Sequence, residues 1–411
     1  MKKFRALIIG NDINAYYLAR CYHEFTGEKA DLLANYIAGE KPFSYTRYTN
    51  ILNIRYRENL WDEKVFLEEL DLYFNEHKKE KILLVSSNET YGEFIAKNKT
   101  KLKKKFFFNY PSVKLQHTLV NKEVFYKTYA DYEIDLPRSI YYDCTKDEKI
   151  NEGDITFPVI VKPANVILFK HISFAGKKKI YKLENMEELN DVINKFKKGN
   201  YTDTIIIQEY IPGDDSHLFD AVVYADKNKK VKMVSFAQIG LQEHAPRMIG
   251  NAAVIINGYS QYPGVEEQIE KIRKFTEKIG YQGFAEFDMK YDARDGKYKV
   301  MEINARQGRC SYYIVPAGFN LIELLYKDLI EGKDLKYKVC NKEVLETFVP
   351  KKVVKKYIDN EEYKAKVLSM WKDRVEALNY KKDTSFLRKL LLIKIRYNYI
   401  KDYKNFKWDW K

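Results

Sequence analysis

Cysteine is scarce in this chain: Cys21, Cys144, Cys310 and Cys340 stand far apart among 411 residues, with no CxxC and no Cys/His ligand spacing. That excludes a disulfide framework and a zinc site, and it fits a reducing cytoplasm. Long apolar runs are missing as well. Ala6–Ile9, behind Met1-Lys2-Lys3, is far too short for a signal peptide or a membrane span, and no other segment approaches a spanning length. There is no low-complexity tract and no repeat period, so neither a solenoid nor a disordered binder is expected. Acidic residues are outnumbered, 58 against 72 Lys plus Arg, and the formal net charge of +14 favours phosphates, nucleic acid or an acidic membrane surface as partners. Apolar residues make up 45% of the chain and aromatic ones 15%, enough for one large core or two to three smaller ones.

Near the N-terminus the pattern predicts strands over Phe4–Gly10, Asp31–Ile37 and Lys81–Ser87 and helices over Asp12–Phe25 and Asp62–His77. This β-α-β rhythm argues for a parallel doubly wound sheet. Ligands bind beyond the carboxyl ends of such strands, which makes the turn Gly10-Asn11-Asp12 a candidate site; without a GxGxxG, a plain helix cap by Asn11 is the alternative. A helix is expected over Asn121–Tyr132. Strands Val159–Lys162 and Thr204–Ile211 then flank a helix over Met186–Lys198, and antiparallel-looking strands follow over Leu218–Ala225, Val231–Ile239 and Asn251–Asn257. A helix over Val265–Ile279 leads into a hairpin over Gly283–Asn304. The expected fold class is mixed α/β and α+β, divided into 1–118, 119–205, 206–340 and a basic, helical-looking extension over 341–411.

The hairpin carries the chemistry. Turn residues from Asp292 to Gly296 close it, and alternation puts Glu302, Asn304 and Arg306 on one face with Met301, Ile303 and Ala305 on the core face. A five-residue loop, Ala293–Lys297, sets Asp288 opposite Glu302, with Lys290 one step along the same face. Facing carboxylates repel unless a cation lies between them. Hard Mg²⁺ takes one or two carboxylates and completes its shell with water and phosphate, so Asp288, Glu302 and the Asn304 carbonyl are candidate metal ligands. Arg306 and Arg309 are candidates to meet phosphate or carboxylate oxygens. An ordinary exposed hairpin of alternating charges is the competing reading, disfavoured by the clustering of carboxylates, amide and two arginines.

Phe287-Asp288, Asp295-Gly296, Glu302-Ile303-Asn304-Ala305-Arg306 and Arg309 together resemble the metal-binding hairpin of the ATP-grasp ligases, and the other parts of that family follow in order. Asn121-Lys122-Glu123, with Asp135-Leu136-Pro137 after it, resembles the start of the ATP-grasp lobe. Phe157-Pro158 through Lys162-Pro163 resembles its phosphate-binding strand, and Ile207 through Asp215 its hinge. The resemblance implies an ATP-grasp fold: a Rossmann-like N-terminal domain, a small lobe over 119–205 and a large lobe with the metal site over 206–340. It implies ATP and Mg²⁺ as cofactors, one or two ions, with Mn²⁺ an alternative. It also implies that Lys122 and Lys162 contact phosphate, that Glu209 and the Ile211 backbone hold adenine and Asp215 the ribose, and that Arg306 and Arg309 serve catalysis. The family's phosphate-covering loop is usually glycine-rich, whereas this chain offers Ser173-Phe174-Ala175-Gly176 before Lys177-Lys178-Lys179; the Ala175 and Gly176 amides are the candidates there.

A sharper resemblance, over nearly the whole chain, is to the bacterial D-aspartate ligases. It is carried by Ile9 to Asn14, Ala19-Arg20, Thr46-Arg47-Tyr48, Lys162 to Asn165, Ile211 to Ser216, and Gly283 to Asp292 through Ser311. It implies activation of the D-aspartate β-carboxylate and attack by the lysine ε-amine of a UDP-linked muramyl peptide, in peptidoglycan synthesis. Arg309 is a candidate carboxylate clamp, with Arg47 and Asn11 as further candidates for substrate contact. Another carboxylate–amine ligase is the alternative within the class. A basic nucleic-acid-binding protein, suggested by Lys103-Lys104-Lys105 beside Phe106-Phe107-Phe108, ranks below both because no RRM, KH or zinc-finger signature accompanies it; no nucleic-acid partner is expected. In the tail, Phe386, Leu390, Ile393, Tyr397 and Ile400 form one helical stripe among Arg388, Lys389, Lys394, Arg396 and Lys401, with Trp408 and Trp410 following. Docking on the catalytic lobe and peripheral contact with the inner membrane face are the two readings of that stripe.

Overall fold

The computed structural model describes residues 3–37, 45–146, 148, 150–178, 180–245, 248 and 250–406. Lys179, Trp408 and Trp410 lie outside them. Three sheets organise the chain. The first is parallel, in spatial order Leu52–Glu58, Ala30–Tyr36, Phe4–Ile9, Lys81–Ser86. Apart from Arg5 its central strand is apolar because both faces are covered: Phe4, Ala6 and Ile8 pack with helix Ile13–Thr26, while Leu7 and Ile9 join Phe66, Leu70 and Tyr91 from the helices on the other face. The edge strand Leu52–Glu58 was not anticipated; its alternating Asn53, Arg55 and Arg57 leave it without a continuous apolar signal.

The second sheet is antiparallel, ordered Ser139–Asp143, Thr204–Glu209, Val159–Pro163, Tyr181–Leu183. Helix Met186–Lys198 covers one face with Leu189, Val192, Ile193 and Phe196. The third sheet has eight strands, with Leu218–Ala225 in its interior between Gly283–Asp292 and Ala237–Gln242. The single strand expected over Val231–Ile239 is two, Val231–Ser235 and Ala237–Gln242, which pair with different stretches of Leu218–Ala225. On Leu218–Ala225, Phe219, Ala221 and Val223 face the core under helix Val265–Lys278, and Val222 and Tyr224 face the opposite core. The stretch expected to be helical after 341 opens with a strand, Val344–Thr347, on the edge of this sheet, and helices follow.

The last helix, Phe386–Asn405, docks on the core, but not by the stripe the spacing singled out. Leu391, Ile395, Tyr399 and Tyr403 face inward, whereas Phe386, Ile393 and Tyr397 are 74%, 61% and 66% exposed. The run Leu390 to Ile393 is apolar on two sides, so periodicity alone supports either face. A buried ion pair selects between them. Arg388, which the sequence places on the polar rim, is fully buried: its guanidinium lies 4.0 Å from the centre of the Tyr16 ring, and Nη1 donates to the Tyr45 and Arg47 carbonyls. Asp383, 3.8 Å from Arg388 Nε, accepts from Tyr16 Oη at 2.8 Å, Thr49 Oγ1 at 2.7 Å and the Asn50 amide at 2.7 Å. The tail helix is thereby tied to the N-terminal sheet's helix. Removing one member of such a pair strands the other, so Arg388→Met should lower stability by about 3 to 5 kcal/mol. Leu390→Glu on the outward face should change it by less than about 0.5 kcal/mol. Urea melts of the two variants check this ordering.

Candidate active site

The second and third sheets meet over a cleft of about 580 Å³ lined by Lys122, Lys162, Glu209, Ile211, Asp215, Asp288, Glu302, Asn304, Arg306 and Arg309, among others. Ten of the residues singled out in the sequence thus share one cavity. Ala175 and Gly176 do not line it; they sit in an exposed turn with Gly176 at φ 74°. Neither Arg47, whose guanidinium packs over Tyr48, nor Asn11 is among the described lining residues.

Each side chain is delivered by its element. Lys122 opens helix Lys122–Tyr129, which Asn121 caps and whose Phe125, Tyr126 and Tyr129 are buried, leaving the lysine on the cleft side. Its ammonium is ion-paired with Glu302. Burial acts against that charge, but Glu302, Tyr126 and Asp288 outweigh it and raise the Lys122 pKa. Lys162 projects from its strand to Gln208 Oε1 at 3.0 Å. Glu209 accepts from the Arg138 amide at 2.8 Å and pairs with Arg294 at 3.0 Å. Asp215 accepts from the Gln242 amide and side chain, both at 2.9 Å.

In the hairpin Asp288 does stand opposite Glu302, though not by way of a five-residue loop. Asp292 pairs with Lys297, which leaves four loop residues, and a register shift after Asp288 restores the pairing. Met301 is the extra residue of that bulge; instead of facing the core as alternation predicts, it lines the cleft. Asn304 also departs from expectation: it presents its amide nitrogen, not its carbonyl, to Asp288 Oδ2 at 3.0 Å and Glu286 Oε2 at 3.3 Å. Two acceptors draw the donor end of the amide.

Among the cleft residues that sequence reasoning left out are Gln208, Asp220, Glu286 and Lys290, the last noted only for its face. Glu286 was visible, since it lies two positions before Asp288 and so on the same strand face; Asp220 was visible as a lone carboxylate in an otherwise apolar strand. Oxygens of Asp220, Glu286 and Asp288 lie within 4.8 Å of one another. Burial, then repulsion from neighbouring carboxylates, pushes the Asp220 and Asp288 carboxyls well above their ordinary range. An all-oxygen donor set of this kind suits a hard divalent cation. Arg306 balances part of the charge, with Nη1 3.2 Å from Glu286 and Nε 3.3 Å from Glu89. Arg309 Nη1 is held by Glu243.

No protein-family model matches the chain. Among solved structures it is similar to an N5-carboxyaminoimidazole ribonucleotide synthetase in its ADP complex, with a TM-score of 0.59 at 12% identity over 84% of this chain and 81% of that one. It is also similar to an L-amino acid ligase from Bacillus licheniformis, with a TM-score of 0.54 at 16% identity over 80% and 75%. These likenesses show the fold of the chain, an ATP-grasp fold with its cleft between two lobes. A D-aspartate ligase from Enterococcus faecium (strain Aus0004) is 32% identical over 98% of this chain and 97% of its own length. The chain belongs to the D-aspartate ligase family.

One titration follows from the cleft. Burial pushes the Lys290 ammonium from its ordinary 10.5 down to about 8, against the opposing pull of Asp215 and Asp214. Between those values the unfolded chain binds a proton that the folded protein does not, so this residue makes stability rise with pH through that window and adds no slope below it. Lys290→Met should remove this rise. Urea midpoints of wild type and variant at about pH 7.5 and about pH 10 measure the difference.

Proposed function

We propose that the protein activates the β-carboxylate of D-aspartate as an acyl phosphate at the expense of ATP and joins it to the lysine ε-amine of a UDP-linked muramyl peptide in the cytoplasm. The observation that carries this reading is the facing pair Asp288 and Glu302 in the same cleft as Lys122, Lys162 and Arg306; the likeness to D-aspartate ligase supports the choice of substrate.

The chemical difficulty is to bring a carboxylate anion to a polyphosphate anion, which takes fixed positive charge in a site shielded from water. Lys162 and Lys122 are assigned to phosphate oxygens, Glu209 and the Ile211 backbone to adenine, and Asp215 to the ribose. The Ala175 and Gly176 amides are assigned to cover the phosphates. Asp288, Glu302 and Asn304, the last with its amide turned to present its oxygen, would hold Mg²⁺, which would supply charge neutralisation on the transferring phosphoryl group. Lys122 and Glu302 are ion-paired with each other, so their pair must part for each to take its role. A β-carboxylate oxygen attacks the γ-phosphorus and ADP leaves. The amine nitrogen then attacks the acyl carbon, phosphate leaves, and the nitrogen gives up a proton. Arg306 is assigned to the phosphate oxygens during both displacements, and Arg309 to a carboxylate of the bound substrate.

ADP release measured with ATP, Mg²⁺ and a panel of D- and L-amino acids, with and without a UDP-muramyl peptide, tests the reading. D-Aspartate should be required, hydroxylamine should trap it as the hydroxamate, and product mass should show one aspartyl residue added to the peptide. Glu302→Gln should lower turnover by about 100-fold or more. Equal turnover with L-aspartate, or preference for another amino acid, would overturn the substrate assignment, and AMP as product would overturn the mechanism.

We also propose that the outward face of the tail helix rests on an anionic membrane surface. Among the described residues no helix is long and apolar enough to cross a membrane. Phe386, Leu387, Leu390, Ile393 and Tyr397 are exposed, with exposed Lys389, Lys394 and Lys401 beside them, the composition of an interfacial helix. The full chain should sediment with phosphatidylglycerol vesicles and not with phosphatidylcholine vesicles, and Leu390→Glu/Ile393→Glu should abolish this without loss of ligase activity. A wild type that stays in the supernatant with both removes the proposal.

A further inference from the structure

Two buried polar atoms at the cleft have no hydrogen-bond partner among the described residues, and they are of opposite character. One is an acceptor, Oδ1 of Asp220, a residue only 3% exposed. The other is a donor, Nη2 of Arg309, whose Nη1 is already fixed by Glu243. Both residues line the cavity. Leaving either atom unpaired in the interior costs free energy, so each calls for a partner that the chain itself does not supply.

Gly308 shows how tightly the acidic side is built. A Cβ there would fall 2.1 Å from Glu286 Oε1 and 3.5 Å from Asp220 Oδ2, so these carboxylates are packed against the backbone next to Arg309. Arg306 neutralises part of Glu286, at 3.2 Å, but no cation is hydrogen-bonded to Asp220 Oδ1. An unmet carboxylate oxygen and an unmet guanidinium nitrogen in one cleft are opposite in charge, as are the two charged ends of an α-amino acid. A second divalent ion would account for the carboxylate and leave the Arg309 donor unexplained.

We infer that Asp220 and Glu286 receive the α-ammonium of the amino-acid substrate while Arg309 Nη2 receives its α-carboxylate. The ligand class is an α-amino acid bound as its zwitterion, with its second carboxylate left for phosphorylation at Asp288 and Glu302. This rests on the reading of the protein as an amino-acid ligase and names the groups by which it selects an amino acid over a plain dicarboxylate.

D-Malate, which carries a hydroxyl where D-aspartate carries the ammonium, and succinate, which carries neither, test the inference on the wild-type enzyme through ADP release and hydroxamate formation. Both should be poorer than D-aspartate in kcat/KM by about 100-fold or more, because the buried carboxylates stay unpaired with them. Asp220→Asn and Glu286→Gln should collapse that preference, mainly through a higher KM for D-aspartate, with the affinity for ATP unchanged in both and the Mg²⁺ dependence unchanged in Asp220→Asn. A folded variant that keeps the wild-type preference overturns the inference, as does one whose Mg²⁺ requirement shifts while the preference stays, since the cluster would then belong to the metal. If neither variant folds, the wild-type series decides, and D-malate equal to D-aspartate overturns it. A wild type that releases ADP with another amino acid but not D-aspartate overturns the D-aspartate assignment alone; the same deamino comparison is then made on that amino acid. A wild type with no amino-acid-dependent ADP release overturns both.

Discussion

Like charge held close together is the constraint around which the protein is arranged. Asp220, Glu286, Asp288 and Glu302 come from three neighbouring strands of one sheet and face one cavity, three of them with oxygens within 4.8 Å. Hydrogen bonds along the sheet fix their backbones, so the carboxylates cannot move apart to relieve repulsion. Relief comes from elsewhere in the chain: Lys122 from a helix start, Arg306 from just beyond the hairpin, and Glu89 on the N-terminal domain turning Arg306 to its place. The carboxylate floor therefore draws on the small lobe through Lys122 and on the N-terminal domain through Glu89, and the cleft lies between the floor and the small lobe.

A second regularity follows. Almost every charged group in the cleft already has a protein partner: Lys122 with Glu302, Lys162 with Gln208, Glu209 with Arg294, Asp215 with Gln242, Lys290 with the Gly213 carbonyl, Arg309 with Glu243. Buried charges are tolerable only in such company. Exchange of these partners for phosphate, metal and substrate keeps the charges compensated, so substrate selection falls to the atoms that begin without partners. That is why the two orphaned atoms of Asp220 and Arg309 carry more information than the many satisfied ones.

Much of this was legible in the sequence, for a physical reason. Strand alternation projects Glu302, Asn304 and Arg306 to one side regardless of the rest of the fold, and the run Ala6–Ile9 in the parallel sheet is apolar because both faces are covered. What stayed hidden depends on partners distant in sequence. The Met301 bulge follows from a loop one residue shorter than alternation suggested, and two departures cancel so that Asp288 still meets Glu302. Leu52–Glu58, Ser139–Asp143 and Tyr181–Leu183 are edge strands, which need a neighbour and little apolar surface of their own. Arg388 reads as a surface cation in sequence; besides nearby Asp383, it takes the Tyr16 ring and the Tyr45 and Arg47 carbonyls, far away along the chain, to make its burial possible.

The tail helix shows how such a distant partnership reaches the chemistry. Its inward face does more than fill the core: Tyr403 Oη donates to the Gln242 carbonyl at 2.6 Å, and Tyr399 Oη lies 3.3 Å from Glu243 Oε1. Gln242 holds Asp215, and Glu243 holds Arg309. Two consecutive residues at the end of one strand thus carry, on the cleft side, the group assigned to ribose and the group assigned to the α-carboxylate, and both are braced from behind by one helix. Tyr403 supplies a donor to the Gln242 carbonyl and Tyr399 a second donor to the Glu243 oxygen that Arg309 already holds, which aliphatic residues could not do, and this accounts for a docked face that is half tyrosine although Leu390 and Ile393 would pack as well. The choice of helix face is therefore set by the polar needs of the active-site strand and by the Arg388–Asp383 anchor, and the more hydrophobic stripe is the one left outside.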